Sequence, residues 1–252
     1  MFIGGPLYKQ FVMKFTLQKK VYIFEPKIIP SIATLIALSI LLSLSFWQIK
    51  RLIWKKDLIN TRIERYEKGV EDFNSLKFVE DNEFYKVSVK GEFLNNYEMF
   101  MPALSKRGNN GYHILTLFKN SDEKVYIFDR GWIPLAKKEK SERISNIVEG
   151  EQELDVVIRK PGRKGKFQPE NDLKNNFWFF VEPSRMSDYL NIKLEEKIYL
   201  EAVNNGPNNS PLGGQTRIYI RNNHLQYSIT WFLIALGLIG VYLAASIKLE
   251  KK

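Results

Sequence analysis

Two long uncharged apolar runs, Ile28 to Ile49 and Leu225 to Ile247, bracket the segment between Lys50 and His224. A helix crosses a hydrocarbon core of roughly 30 Å with about 20 residues, so each run is long enough to span a bilayer. Nothing else in the chain limits its fold as strongly, because backbone polar groups in lipid must be satisfied within a helix or a closed barrel. Two crossings bring the inner ends of both runs to one membrane surface. The first run ends in Phe46-Trp47-Gln48 and the second is entered through His224. Trp47 and His224 are therefore expected at the same surface as the segment between them.

That segment, 50–224, is large enough to bury a core without staples. The 252 residues include no cysteine, which excludes disulfides and thiolate metal sites. The net charge of +10 is concentrated beside the spans: residues 1–27 hold five lysines against Glu25, and residues 248–252 hold three against Glu250. Nucleic-acid binding calls instead for a basic, aromatic-bearing face on a soluble fold, so no nucleic-acid partner is expected. The positive-inside rule favours cytoplasmic tails at 1–27 and 248–252 and an extracytoplasmic 50–224, while Lys50, Arg51, Lys55 and Lys56 oppose that orientation. Charge alone leaves the sidedness open. The first run exceeds a signal-peptide core, and bulky Phe46-Trp47 stands where a cleavage site needs small residues. The first arginine is Arg51, unlike an Arg-rich mitochondrial presequence, so a bacterial inner membrane is a simpler location than a mitochondrial one. Met13 is an alternative start to Met1.

Helical spacing of Trp47, Arg51, Trp54 and Leu58, with no Pro or Gly before Gly69, predicts that the first helix continues beyond the apolar run. Beyond it the pattern is that of strands. Alternation or β-rich composition marks 85–91, 97–101, 112–118, 124–129, 153–159, 177–181, 197–203 and 217–221, with turn clusters at 108–111, 120–122 and 204–209. The expected fold is two transmembrane helices flanking a β-rich (α+β) domain, an antiparallel sheet or small barrel, with helical inserts at 137–147 and 183–190.

Few residues could carry chemistry. His224, Tyr227 and Trp231 recur at i, i+3 and i+7, which sets an imidazole above two aromatics on one helical face. An imidazole can ligate haem iron and flat rings can pack a porphyrin, although a solvated interfacial histidine explains His224 equally well. Trp47 and Trp54 fit an interfacial aromatic belt, or Trp47 lines a site between the helices. His113 falls in an expected strand, where a structural role is commoner. With two histidines, no cysteine and scattered methionines, no copper site is expected. No G-x-S-x-G, P-loop or H-E-x-x-H motif occurs, so catalytic residues are not assigned and the chain reads as a non-enzyme. Arg130-Gly131-Trp132 reads as a turn with an ion pair. Gly240 and Ala244 have the small-residue spacing that lets helices approach closely, on the first helix or on another protein. The basic run 159–166 reads as a solvated loop, with anionic lipid or an acidic partner as the alternative.

Four segments together resemble the surfeit-locus family of cytochrome c oxidase assembly factors: Phe46 to Lys56, Tyr85 to Phe93, Gly111-Tyr112-His113 leading to Asp129 to Pro134, and His224 to Phe232. Their order and the two-helix layout match over nearly the whole chain, and only loosely between about residues 136 and 215. The resemblance implies a role in biogenesis of haem–copper oxidases, with haem a held transiently and passed to the catalytic subunit. It implies that His224 is the haem-iron ligand and that Trp47 belongs to the same site, to which Tyr227 and Trp231 add packing surface. It also implies a periplasmic central domain with both tails inside. The implied partners are the oxidase catalytic subunit and membrane lipid, with a haem a biosynthesis enzyme as a further candidate. The rival reading is a scaffold that holds an oxidase subunit and binds no cofactor.

Overall fold

The computed structural model describes residues 12–17, 20–77, 79–105 and 107–250. Most of the outer part of the expected N-terminal tail, with the Met1 start, and the last two residues of the C-terminal tail lie outside the described residues. The chain divides into two compact units, residues 1–58 with 221–252, and residues 59–220.

The first unit is built on two helices, both long and apolar enough to cross a membrane. Helix α1 runs Ile28–Glu67, well past the apolar stretch, as the absence of Pro and Gly requires. It ends just before Gly69, whose φ of +108° is open to glycine but strained for other residues. Helix α3 runs His224–Ser246. On α1 the covered positions include Ser31, Thr34, Leu38, Leu41, Ser45, Gln48 and Leu52, flanked by Ala37 and Leu44; on α3 they are His224, Ser228, Trp231, Ala235, Leu238, Tyr242 and Ser246. The named α1 positions alternate steps of three and four residues, as do those of α3 up to Tyr242, the period of a coiled-coil seam. The other faces of both spans expose Ile, Leu, Phe and Val, as lipid contact requires. Gly240 and Ala244 are exposed and lie off this seam, so their spacing does not serve α1.

Beside the helix ends is a small sheet that the sequence pattern did not disclose. Strand β1 (Met13–Leu17) pairs antiparallel with β2 (Lys20–Phe24), which pairs antiparallel with β9 (Ile247–Leu249). Phe15 stacks on Tyr22, and Lys248 bonds Glu25 at 2.8 Å. This pairing holds the residues before α1 against those after α3, so the two spans run in opposite directions.

The second unit is a small barrel. Its elements are β3 (Val70–Asp72), β4 (Lys86–Leu104), β5 (Asn110–Asn120), β6 (Val125–Pro134), β7 (Glu151–Arg159), helix α2 (Pro183–Leu190) and β8 (Tyr199–Ala202). The long strand β4 pairs with β7 through its first half and with β5 from Gly91 onward. The circuit β4-β5-β6-β8-β7 therefore closes on itself and leaves no edge within it. Most pairings are antiparallel, while β3–β4 and β6–β8 are parallel. Val87, Val89, Phe118, Phe128, Val156, Ile158 and Leu200 fill one core at period two. Leu115, Leu117 and Ile127, on the opposite faces of β5 and β6, form a second core with Trp178, Val181 and Met186. Strand β5 is thus covered on both sides, which explains its unbroken run Ile114-Leu115-Thr116-Leu117-Phe118.

Three expected elements differ. Residues 177–181 and 217–221 are not strands; Phe177 makes only isolated bridges to Phe100 and Asp172. Trp178 and Val181 are spent on covering the second core, which their side chains can do without a ladder. The expected helix at 137–147 is a 3-10 segment, Lys140–Asn146, kinked at Arg143. There the Arg143 guanidinium bends inward to a bidentate pair with Glu98 at 2.8 and 2.6 Å.

Gly131 combines a left-handed backbone with a close approach of another segment. Its φ is +112°, and a Cβ there would lie 2.2 Å from the carbonyl oxygen of Leu212. Strain at a left-handed position costs about 1–3 kcal/mol before any collision is counted. Gly131→Ala is expected to lower the thermal melting midpoint of the full chain in detergent by several degrees. An unchanged midpoint would show that the Leu212 segment yields freely.

Candidate functional site

A ladder of polar contacts joins α1 and α3. Ser31 Oγ lies 2.6 Å from Tyr242 Oη, and Ser45 Oγ lies 3.0 Å from Ser228 Oγ. Each of those two serines also donates to the other's backbone carbonyl, at 3.1 and 3.0 Å. At the inner end, His224 Nδ1 is 2.7 Å from Gln48 Oε1, and Asn222 Nδ2 donates to the Leu52 carbonyl at 3.3 Å. A carboxamide oxygen only accepts, so Nδ1 carries the proton and donates to Gln48. In the neutral imidazole the lone pair then sits on Nε2, which has no partner among the described residues. An imidazole steered through Nδ1 with Nε2 free is the arrangement that metal-ligating histidines use.

The four expected site residues divide between two surfaces. His224 and Trp231 lie half-buried at the seam, while Trp47 and Tyr227 are 52% and 54% exposed. The seam takes Ser228 where the i, i+3, i+7 reading points to Tyr227. On an antiparallel pair, one step toward the N-terminus from the seam turns to the same side in both helices. Gln48 to Trp47 and Ser228 to Tyr227 are such steps, so both rings flank the seam on one outer face. The direct Ser45–Ser228 contact leaves no gap for a flat macrocycle between the helices at this level. The open ground is the outer face, where the exposed rings are. Trp54 is exposed and carries the Arg51 guanidinium at 4.5 Å from its ring centre.

A second constellation lies wholly within the barrel unit. β5 and β6 lose register between His113 and Leu115: His113 faces Trp132 while Leu115 faces Asp129. Arg130 and Gly131 on β6 oppose Ile114 alone on β5, a one-residue bulge, and bulges re-aim side chains. Here the bulge brings Asp129 Oδ2 to 2.7 Å from His113 Nδ1, while Asp129 Oδ1 accepts the Gly131 N–H at 2.9 Å. His113 lines a cleft of about 1290 Å³ with Asp129, Arg159, Glu201 and Arg217. Burial by itself pushes the His113 pKa down, but the Asp129 carboxylate and its hydrogen bond, helped by Glu201, outweigh it and raise the net value. From sequence His113 is a lone strand histidine; its carboxylate is sixteen residues away and is delivered by register.

Two other expectations change in this unit. Arg130 lies inside β6, buried, and bonds the Asn146 carbonyl at 2.9 Å beneath the Phe93 ring. Among the described residues it makes no ion pair with a carboxylate, so the expected turn with an ion pair is replaced by a strand with a carbonyl-bound guanidinium. The basic run 159–166 is not uniformly solvated, because Arg159 is half-buried and bonds Glu201 at 2.7 Å.

The Gln48–His224 and Ser45–Ser228 contacts and the His113 constellation fall inside residues 35–236, which match the model of the SURF1 family. The chain belongs to the SURF1 family. A SURF1-like protein of Rickettsia felis is 30% identical over 219 residues, covering 84% of this chain and 94% of that protein. A SURF1-like protein of Rickettsia prowazekii is 32% identical over 213 residues, 81% of this chain and 84% of its own length. Surfeit locus protein 1 of Takifugu rubripes is 27% identical over 224 residues, 81% and 92% of the two chains. The SURF1-family match thus takes in most of the helix seam and the whole barrel.

The His113–Asp129 pair gives a signed pH dependence. Its folded value lies above the ordinary imidazole value, so the pair stabilises the fold fully below that ordinary value. The contribution is lost as pH rises through the raised one. Between about pH 5.5 and about pH 8.5 the full chain's melting midpoint is expected to fall, and His113→Gln to flatten that fall. Parallel profiles for the two proteins would remove His113 as the titrating group.

Proposed function

We propose that this chain is a membrane-anchored assembly factor for a haem–copper terminal oxidase that holds haem a as cargo for the catalytic subunit. The observation that carries the reading is His224, steered through Nδ1 by Gln48, with Nε2 free at the end of a helix pair and Trp47 and Tyr227 exposed beside it. The donor set fits one axial ligand to haem iron, and the exposed rings offer flat apolar surface to a macrocycle. The resemblance to the surfeit-locus assembly factors supports the oxidase as client. No residue is assigned a catalytic role.

In this reading His224 ligates the iron through Nε2 and Gln48 holds the ring at the required angle. Trp47, Tyr227 and the outer edge of Trp231 pack the macrocycle against the outer face of the helix pair. A single protein ligand leaves the cargo removable, which suits transfer to a client. The barrel unit lies on the periplasmic side of a bacterial inner membrane with both tails in the cytoplasm. The lysine-rich tails and the antiparallel helices support that orientation. A haem a biosynthesis enzyme is the source of the cargo.

The test is the absorption spectrum of the full chain purified from cells that make haem a. The wild-type protein is expected to carry a haem spectrum, and His224→Ala to lose it. Gln48→Ala is expected to weaken haem binding by about 10–100-fold, as loss of a histidine's outer partner commonly does. A haem-free wild-type protein that still co-purifies with an oxidase subunit from cells unable to make haem would favour the cofactor-free scaffold.

A further inference from the structure

We propose that the cleft on the barrel unit is a binding site for a small carboxylate that carries a flat apolar body. The proposal does not rest on the oxidase reading.

The acids in the cleft already have their donors. Glu201 accepts from Arg159 Nη1 at 2.7 Å, Tyr199 Oη at 3.0 Å and Thr216 Oγ1 at 2.6 Å. Asp129 accepts from His113 and from the Gly131 N–H. These carboxylates are internal counter-charges rather than free ligand sites.

The donors are a different matter. Arg217 lines the cleft, is exposed, and makes no ion pair or hydrogen bond among the described residues. Its neighbour Thr216 is fixed to Glu201, which holds the chain beside it in place. His113 spends Nδ1 on Asp129, so Nε2 is the nitrogen left to serve the cleft. The groups that bear on His113 are Asp129, Glu201 and Arg217, and the Arg217 charge opposes its protonation. Two donors that repel each other across one cleft are relieved by a shared anion.

The walls select the rest of the ligand. Tyr112 and Phe177 stack with ring centres 5.6 Å apart at 9°, and Phe179 also lines the cleft. A cation would meet Arg217 and Arg159. A neutral apolar molecule would strip water from Arg217 and give nothing back. A bare inorganic anion would leave the aromatic wall unused. A carboxylate satisfies a guanidinium in the bidentate geometry that makes such pairs strong, and a flat body covers the rings. The volume, about 1290 Å³, exceeds the roughly 300–1,000 Å³ of ordinary small-molecule sites.

The test uses the full chain with ¹³C-methyl methionine in nanodiscs of neutral lipid, with Met101 in the cleft wall as reporter. 2-Naphthoate is titrated in, with 2-naphthalenemethanol as the uncharged body and empty discs as the partition control. Naphthoate is expected to shift Met101 saturably, and the alcohol to bind at least about tenfold more weakly. Arg217→Gln, on an exposed side chain, is expected to weaken naphthoate by a similar factor. No saturable Met101 shift, equal binding of acid and alcohol, or an unaltered affinity in Arg217→Gln would each overturn the proposal.

Discussion

Gln48 and His224 meet at 2.7 Å at one end of two helical stretches, 28–49 and 225–246, whose remaining surface is mostly apolar. In such surroundings apolar packing discriminates poorly between one helix rotation and another, because lipid is as apolar as leucine. Polar contacts discriminate better, since a wrong register leaves them unpaired. A hydrogen bond of this kind contributes only about 0.6 kcal/mol on average in a membrane, so the ladder sets register more than it adds stability. The rest of the first unit follows from that register. Ser45 finds Ser228, Ser31 finds Tyr242, and the strands beyond the helix ends meet in one small sheet. The same bond determines which imidazole nitrogen is available.

The barrel unit depends on a comparable device of a different kind. Closure through β4, shared between β7 and β5, removes the free edges, but it also forces the β5–β6 pair to bend. The bend is absorbed at Arg130-Gly131, where glycine tolerates both the positive φ and the close approach of Leu212. The resulting register slip puts Asp129 beneath His113 and opens a cleft with buried acids and free donors. A structural necessity of the barrel and a chemically distinctive pocket therefore arise at one point.

How far these features were legible depends on the range of the contacts that make them. The two spans, the extension of α1 to Gly69 and most strands are encoded in runs and periods over a few residues. Residues 177–181 and 217–221 carry the composition of strands, yet nothing local says whether a ladder partner exists; Trp178 is needed in a core instead. The strand pair at residues 13–17 and 20–24 shows alternation too short to notice until β9, over two hundred residues later, supplies its neighbour. His113 illustrates the same limit, because its carboxylate is named only by register across a bulge.

By itself the sequence determined that this chain has two membrane-length helices, a β-rich unit between them, no disulfide, and a histidine and a tryptophan at the inner helix ends. Those are statements about hydrophobic length, periodicity and residue chemistry, which act locally. The tertiary structure alone decided that Ser228 rather than Tyr227 faces α1, that Gln48 holds His224 through Nδ1, and that Trp47 and Tyr227 flank one outer face. It alone decided that the β sequence closes into a barrel with a cleft beside His113. Each of these depends on the rotation and register of elements far apart in the chain. Those are chosen by which polar groups would otherwise go unpaired.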